Sequence, residues 1–216
     1  MPAQLHDGDR HIAVKTNYPF ENSVTYCVES GSDFTFRVRV PAFAKNLRVD
    51  GVAMETSDLT FAIRAGEKRE ITVSFDTEVV LQDRPYDLKT VECGSLVFSV
   101  PVKYEKRMYE YEKDGVERKF PYCDYEYLPV SAWNYAYSGG EFVREDRQVD
   151  AIPFSSEKPP VVIRAKVKKI DWGLEDGYEM VCAKVPQSRE PVSEEEEMEL
   201  YPYGCAKLRM TELPKI

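Results

Sequence analysis

His6 and His11 are the only imidazoles in the chain. A histidine that acts as a general base or activates a nucleophile needs its ring held by a second polar group. Neither histidine sits in a motif that supplies one, and both lie near the N-terminus, where ends fray. They read as surface or strand-edge residues. The five cysteines, Cys27, Cys93, Cys123, Cys182 and Cys205, are odd in number and widely spaced, and no two form a CxxC pair. They are expected to be reduced thiols, with buried ones acting as small hydrophobes. No HExxH, GxSxG or phosphate-cradling glycine loop occurs. No Cys or His pair has zinc-ligand spacing, so neither a metal nor a cofactor is expected. Glycoside hydrolysis asks for two carboxyl groups about 5–9 Å apart. Glu92, Asp124, Glu126 and Asp171 have aromatic or apolar neighbours of the kind that raise a carboxyl pKa. With 38 acidic residues in the chain, however, spacing alone selects no pair.

The most suggestive group is aromatic. In Trp133-Asn134-Tyr135-Ala136-Tyr137 an extended backbone places Trp133, Tyr135 and Tyr137 on one side. Flat rings beside an amide can stack on sugar rings, which makes these three the candidate ligand-binding residues. The competing reading is core packing, with each tyrosine hydroxyl reaching a polar partner.

Charge narrows the partners. Lys and Arg total 29 against 38 acids, a net charge of −9, over 216 residues. Nucleic-acid binding draws on a basic face, so that class is disfavoured. No apolar run approaches the ~20 residues that span a bilayer, and residues 1–16 lack the apolar core of a signal peptide. With unpaired thiols, the expected setting is cytoplasmic.

Any such site must be held by strands. Phe34, Phe36, Val38 and Val40 alternate with Thr35, Arg37 and Arg39, which is a strand wet on one face. The same rhythm marks 24–28, 59–63, 71–75 and 161–167, with turns at Asp50-Gly51 and Ala65-Gly66. Strands at this spacing predict an all-β fold, an antiparallel, jelly-roll-like β-sandwich. One domain over 1–216 is expected, with first strands in 1–103, a Tyr/Trp-rich excursion in 104–150 and returning strands in 151–216. The excursion segment 104–137 carries eight of the fourteen tyrosines and ends at a Gly139-Gly140 break. The one helix candidate is 193–200, where Ser193 and Glu196 fit a capping box. It has no apolar stripe, and a loop into a short strand fits equally. Six acids fall between Glu190 and Glu199, and they read as a solvated charged segment rather than a Ca²⁺ site.

Five strings carry a resemblance. They are Thr16-Asn17-Tyr18-Pro19-Phe20-Glu21; Phe36 to Ala44 (FRVRVPAFA) followed by Val49-Asp50-Gly51; Val91 to Ser99 (VECGSLVFS); Leu128 to Ala136 (LPVSAWNYA); and Leu200 to Pro214 (LYPYGCAKLRMTELP). In this order they resemble the C-terminal region of the β-L-arabinofuranosidase-like proteins, glycoside hydrolase family 127 and its relatives, over nearly the whole chain. The third string departs from that family: Cys93-Gly94-Ser95 stands where Arg-Gly-Pro is usual, so a proline constraint is missing at that turn.

The resemblance implies a trailing β-sandwich. In such enzymes the chemistry sits upstream, in an (α/α) barrel where a cysteine nucleophile stands beside a zinc site of Cys and Glu. No run of amphipathic helices here could build that barrel, so no catalytic residue carries over. Cys123 and Cys205 do not match the zinc-site context. The resemblance therefore implies a non-catalytic accessory module, excised or separately encoded, partnered by a helical-barrel catalytic domain or subunit. An arabinose-containing glycan is the ligand it suggests. Exposure of the surface around Trp133 that would meet the barrel suggests self-association into a homo-oligomer. A carbohydrate-binding module using Trp133, Tyr135 and Tyr137, and a free-standing glycoside hydrolase with a carboxylate pair, are the other readings.

Overall fold

The computed structural model describes residues 2–178 and 181–216. Among these residues helical structure is limited to two single 3-10 turns, Pro85–Asp87 and Tyr203–Cys205, and the rest of the regular structure is strand. The chain packs as two compact units, 1–80 with 93–96, and 81–92 with 97–216.

The first unit holds β1 (Ala3–Asp7), β2 (Arg10–Thr16), β3 (Ser23–Ser30), β4 (Phe34–Arg39), β5 (Lys45–Val49), β6 (Val52–Ala53), β7 (Asp58–Ile63) and β8 (Lys68–Asp76). One sheet runs β1-β2-β3-β8-β5-β6, and β4 pairs with β7 in a separate ribbon. The alternation seen in the sequence is what buries one face of each. Val38 of β4 and Leu59 of β7 meet Leu47 of β5 and Ile71, Val73 and Phe75 of β8 in a single core. Arg37 and Thr60, on the opposite face of the ribbon, remain exposed. The β5–β6 turn needs positive φ at both central residues, and Asp50 (50°) and Gly51 (81°) supply it. Asp50 also accepts the Thr72 N–H through Oδ1 at 2.7 Å, which ties the turn to β8.

The turn at Cys93-Gly94-Ser95 belongs to this unit. Gly94 has φ +62°, and a Cβ there would lie 3.1 Å from Thr77 Cγ2. Ser95 Oγ lies 2.9 Å from Tyr18 Oη, and Cys93 Sγ lies 3.3 Å from Thr77 Oγ1. Side-chain hydrogen bonds hold this turn where a proline ring would otherwise stiffen it.

β9 (Val79–Arg84) crosses the division between the units. The second unit continues with β10 (Leu88–Cys93), β11 (Leu96–Val102), β12 (Tyr104–Tyr109), β13 (Tyr111–Lys113), β14 (Val116–Arg118) and β15 (Asp124–Pro129). It closes with β16 (Tyr135–Asp146), β17 (Val161–Lys169), β18 (Glu196–Pro202), β19 (Leu208–Met210) and β20 (Leu213–Pro214). The large sheet runs β16-β17-β18-β11-β10-β20, with β19 on β11 and β9 on β10. β17 is its spine: Val161, Val162, Ile163, Ala165 and Val167 are all buried.

The acidic segment resolves as the loop-into-strand alternative, not the helix. Met198, Leu200 and Pro202 alternate inward along β18. Ser193 Oγ does not cap a helix but accepts the Lys169 N–H at 2.8 Å. The acids face basic residues across the ladder. Arg164 pairs with Glu145 and Glu197, Lys166 with Glu195, and Arg147 with Glu145 and Glu199. The Arg147 guanidinium, and then Arg164, hold the Glu145 carboxyl below the usual carboxylate range; Lys166 and Ser138 do the same for Glu195. A carboxyl depressed on folding stabilises the fold above its unfolded pKa, and that contribution is lost as pH falls through the lower folded value. Denaturant unfolding is therefore expected to show this network intact at neutral pH and fading below about pH 4. The Glu145→Gln, Glu195→Gln double variant should flatten that acid limb; an unchanged limb would contradict the assignment.

The excursion is a protruding arm. β12 pairs with β15 from Tyr104↔Pro129 to Tyr109↔Asp124, and beyond it β13 pairs with β14 around Asp114-Gly115. The Gly139-Gly140 break is instead an irregularity within the continuous strand β16, where the register with β17 shifts between Tyr137 and Phe142. The glycine has a steric reason: a Cβ on Gly139 would lie 3.1 Å from Lys166 Cβ.

Candidate functional site

The structure places the three candidate rings in different surroundings. Tyr137 has 0% exposure and Tyr135 6%, because Tyr135, Ala136 and Tyr137 are all covered at the start of β16 and the strand is buried on both faces there. Tyr137 packs edge-on to Phe142 at 5.2 Å. Trp133 precedes the strand, and the Tyr135 N–H bonds back to the Trp133 carbonyl at 3.1 Å, so the backbone between them is not extended. Trp133 instead meets Trp172 edge-to-face at 6.2 Å and packs on the cluster of Leu88, Ala136, Ile170, Trp172 and Ala183. The one-sided row of three rings that an extended backbone would give is not formed.

Of the three, Tyr135 lines a hollow. This cleft in the second unit has a volume of about 550 Å³; its walls come from the end of β11 and start of β12, the 131–132 segment, β18 and the 206–208 segment. A second hollow of about 340 Å³ shares Tyr104, Ser156, Ala206 and Lys207 with it, so the two adjoin along one wall. Each contributing segment has a local reason for its position. The Lys103 N–H donates to Ser131 Oγ at 2.9 Å, and the Val130 N–H donates to the Lys103 carbonyl at 2.8 Å, which clasps the base of the arm. Tyr104 meets Tyr127 edge-to-face at 5.0 Å across the β12–β15 ladder. The 3-10 turn at Tyr203–Cys205 brings Gly204 under Phe154, and a Cβ there would stand 2.5 Å from Phe154 Cδ1.

The electrostatics of these walls differ from those of the chain as a whole. Lys103 and Lys207 have no ion-pair partner among the described residues. Lys207 Nζ sits over the Tyr127 ring at 5.1 Å. The Arg209 guanidinium lies 3.4 Å above the Tyr203 ring and donates through Nη1 to the Ala206 and Lys207 carbonyls, while its buried Nε has no acceptor among the described residues. The one acid in the lining, Glu199, is held by Arg147 at 2.6 Å. Nucleophilic chemistry has no support here: burial pushes the Cys205 thiol up to about 11, so it stays protonated at neutral pH.

The remaining sequence candidates are dispersed. His6 and His11 face each other across β1 and β2 and stack at 4.2 Å, with no hydrogen-bond partner for His11 Nε2 among the described residues. Glu126 on β15 accepts from the Tyr109 hydroxyl at 2.9 Å, Asp124 lies on the same strand, Glu92 lies on β10, and Asp171 follows β17. No group of three or more His, Cys, Asp or Glu among the described residues is arranged to hold a metal. Sequence reasoning missed Lys103, Phe154, Tyr203 and Arg209. The available signal was basic and aromatic residues recurring in connecting segments, and only the fold brings those segments together.

No protein-family model matches the chain, and no curated protein does. Among solved structures, it is similar to a GH127 β-L-arabinofuranosidase from Geobacillus stearothermophilus T6. The TM-score is 0.56 at 15% identity, over 100% of this chain and 32% of that one. A glycoside hydrolase (TM-score 0.47, 12% identity, 99% and 34% covered) and a GH127 β-arabinofuranosidase (0.46, 14%, 100% and 33%) also match. The chain thus spans about a third of the length of these proteins, and the first of them shares its fold over that third.

Proposed function

We infer that the chain serves as a non-catalytic β-sandwich module of a β-L-arabinofuranosidase-like glycoside hydrolase, with a structural or docking role toward a helical catalytic part. The observation that carries this reading is the correspondence of the whole chain's fold with about a third of such an enzyme. The arm supports it. Phe120 is 69% and Tyr122 81% exposed in the segment that joins β14 to β15, with Met108, Tyr109, Tyr111 and Val116 exposed along the arm. A two-stranded ribbon is marginal in water by itself, and a run of exposed aromatic surface is the kind a partner covers. The arm, more than the neighbourhood of Trp133, is thus the docking element, and self-association through the same exposed aromatic surface is the expected behaviour of the isolated module. The five free thiols suit a cytoplasmic setting.

The test is capture from the native host on the immobilised full chain, with bound proteins identified by mass spectrometry. A helical-barrel glycosidase is expected, reduced at least tenfold by the Phe120→Ser, Tyr122→Ser double variant, whose sites are exposed. Capture of that enzyme unaffected by the double variant would remove the arm from the account. A strictly monomeric chain that captures no glycosidase would remove the docking role itself.

A further inference from the structure

The twin hollow of the second unit carries an inference that goes beyond the accessory role and stands without it. The chain bears a net charge of −9, yet this wall gathers Lys103, Lys207 and Arg209, and the single carboxylate in its lining is already taken by Arg147. Among the described residues none of the three cations has an anionic partner. Arg209 is held in place by its stack on Tyr203 and by two carbonyls, which fix the guanidinium without neutralising it. An unneutralised guanidinium beside an exposed lysine, whose ammonium rests over the Tyr127 ring, is an arrangement that recognises a carboxylate through charge-assisted hydrogen bonds.

The rest of the wall specifies what carries that carboxylate. Tyr203 and Phe154 are each about half exposed and border the smaller hollow, with Tyr104 between the two hollows. The exposed part of each ring is apolar surface, in Tyr203 the part that Arg209 does not cover, while Ser156 and Tyr201 line the larger hollow. Volumes of about 550 and 340 Å³ fall in the range of small-molecule sites, roughly 300–1,000 Å³. They are suited to one or two sugar rings rather than to a folded partner. The geometry points to a binding site for an acidic sugar: a uronic acid unit whose carboxylate meets Arg209 and Lys207 while the C–H face of its ring lies against Tyr203 and Phe154. A purely acidic peptide such as poly-glutamate would satisfy the cations but has no ring to place on the aromatic faces.

Calorimetric titration of the full chain with digalacturonic acid tests this, with its methyl ester and a short poly-glutamate as comparisons. Saturable binding of the acid is expected. It should weaken at least tenfold for the ester and for Lys207→Gln and Arg209→Gln, and weaken as salt is raised. Gly204→Ala, which pushes Phe154 from its seat, should weaken acid and ester alike. Lys207 is exposed, so its variant keeps the test decisive if Arg209→Gln fails to fold. Absence of saturable binding, equal affinity for the ester, indifference to Lys207→Gln, or tighter binding of poly-glutamate would each overturn the assignment.

Discussion

Replacing Tyr137 with Ala is expected to cost about 3–5 kcal/mol of stability, the range for deleting a large buried aromatic side chain. Tyr137 is fully buried on β16 and packs edge-on to Phe142. Its carbonyl accepts the Ile216 N–H at 2.9 Å, so the ring also underlies the point where the end of the chain rejoins the sheet. The hydroxyl, by contrast, has no hydrogen-bond partner among the described residues, and burial pushes its pKa far above the usual tyrosine value. A buried hydroxyl without a partner loses solvation and gains nothing in return. Tyr137→Phe should therefore leave stability unchanged within about 1 kcal/mol, or raise it. Urea unfolding of the two variants separates packing from polar contact. A loss above about 2 kcal/mol for Tyr137→Phe would reveal a hydrogen bond that this structure does not contain.

Trp172→Ala should be comparably severe, again about 3–5 kcal/mol. The indole fills the cluster with Leu88, Ala136, Ile170 and Ala183, and its Nε1–H donates to the Ala183 carbonyl at 2.7 Å in a buried setting. Truncation opens a cavity and leaves that carbonyl only the weak Cys182 thiol donor at 3.2 Å. Trp133, half-buried on the rim of the same cluster, is expected to be the milder of the two to remove, and the edge-to-face pair gives a local readout. Near-ultraviolet circular dichroism should lose the signal of the Trp133–Trp172 pair in either variant, while only Trp172→Ala brings the unfolding midpoint down sharply. Equal midpoints for the two variants would place the weight of this cluster elsewhere.

The contrast between these tryptophans shows where sequence reasoning reaches. β4, β7 and β8 of the first unit were legible because each has one wet face, whereas β1, exposed along its whole length, offered no such rhythm. Phe36 and Val38 alternate with Arg37 and Arg39, and that rhythm survives folding residue by residue. β16 broke the rule for a physical reason: Tyr135, Ala136 and Tyr137 are covered on both sides, so side-chain alternation said nothing about exposure. β18 carried two signals at once. Met198, Leu200 and Pro202 spelled a strand while Ser193 and Glu196 imitated a helix cap; Arg164 and Lys166 on the neighbouring strand decided between them by pairing with the acids. The arm was legible as an excursion but not as a ladder, since β12 beyond Tyr104 and all of β13 and β14 are exposed and leave no buried period to count. The groove was beyond reach. Lys103, Phe154 and Arg209 lie in segments separated by some fifty residues each, and their meeting depends on how β11, β18 and β19 share one sheet.

The central claim is that this chain supplies a β-scaffold and a recognition surface, while bond cleavage belongs to a helical catalytic part. Turnover of an aryl β-L-arabinofuranoside by the purified chain, with and without a captured helical partner, tests it most directly. The account predicts no release above the uncatalysed background from the chain alone, and release only when the partner is present. Sustained hydrolysis by the chain alone, at a rate proportional to its concentration, would contradict it.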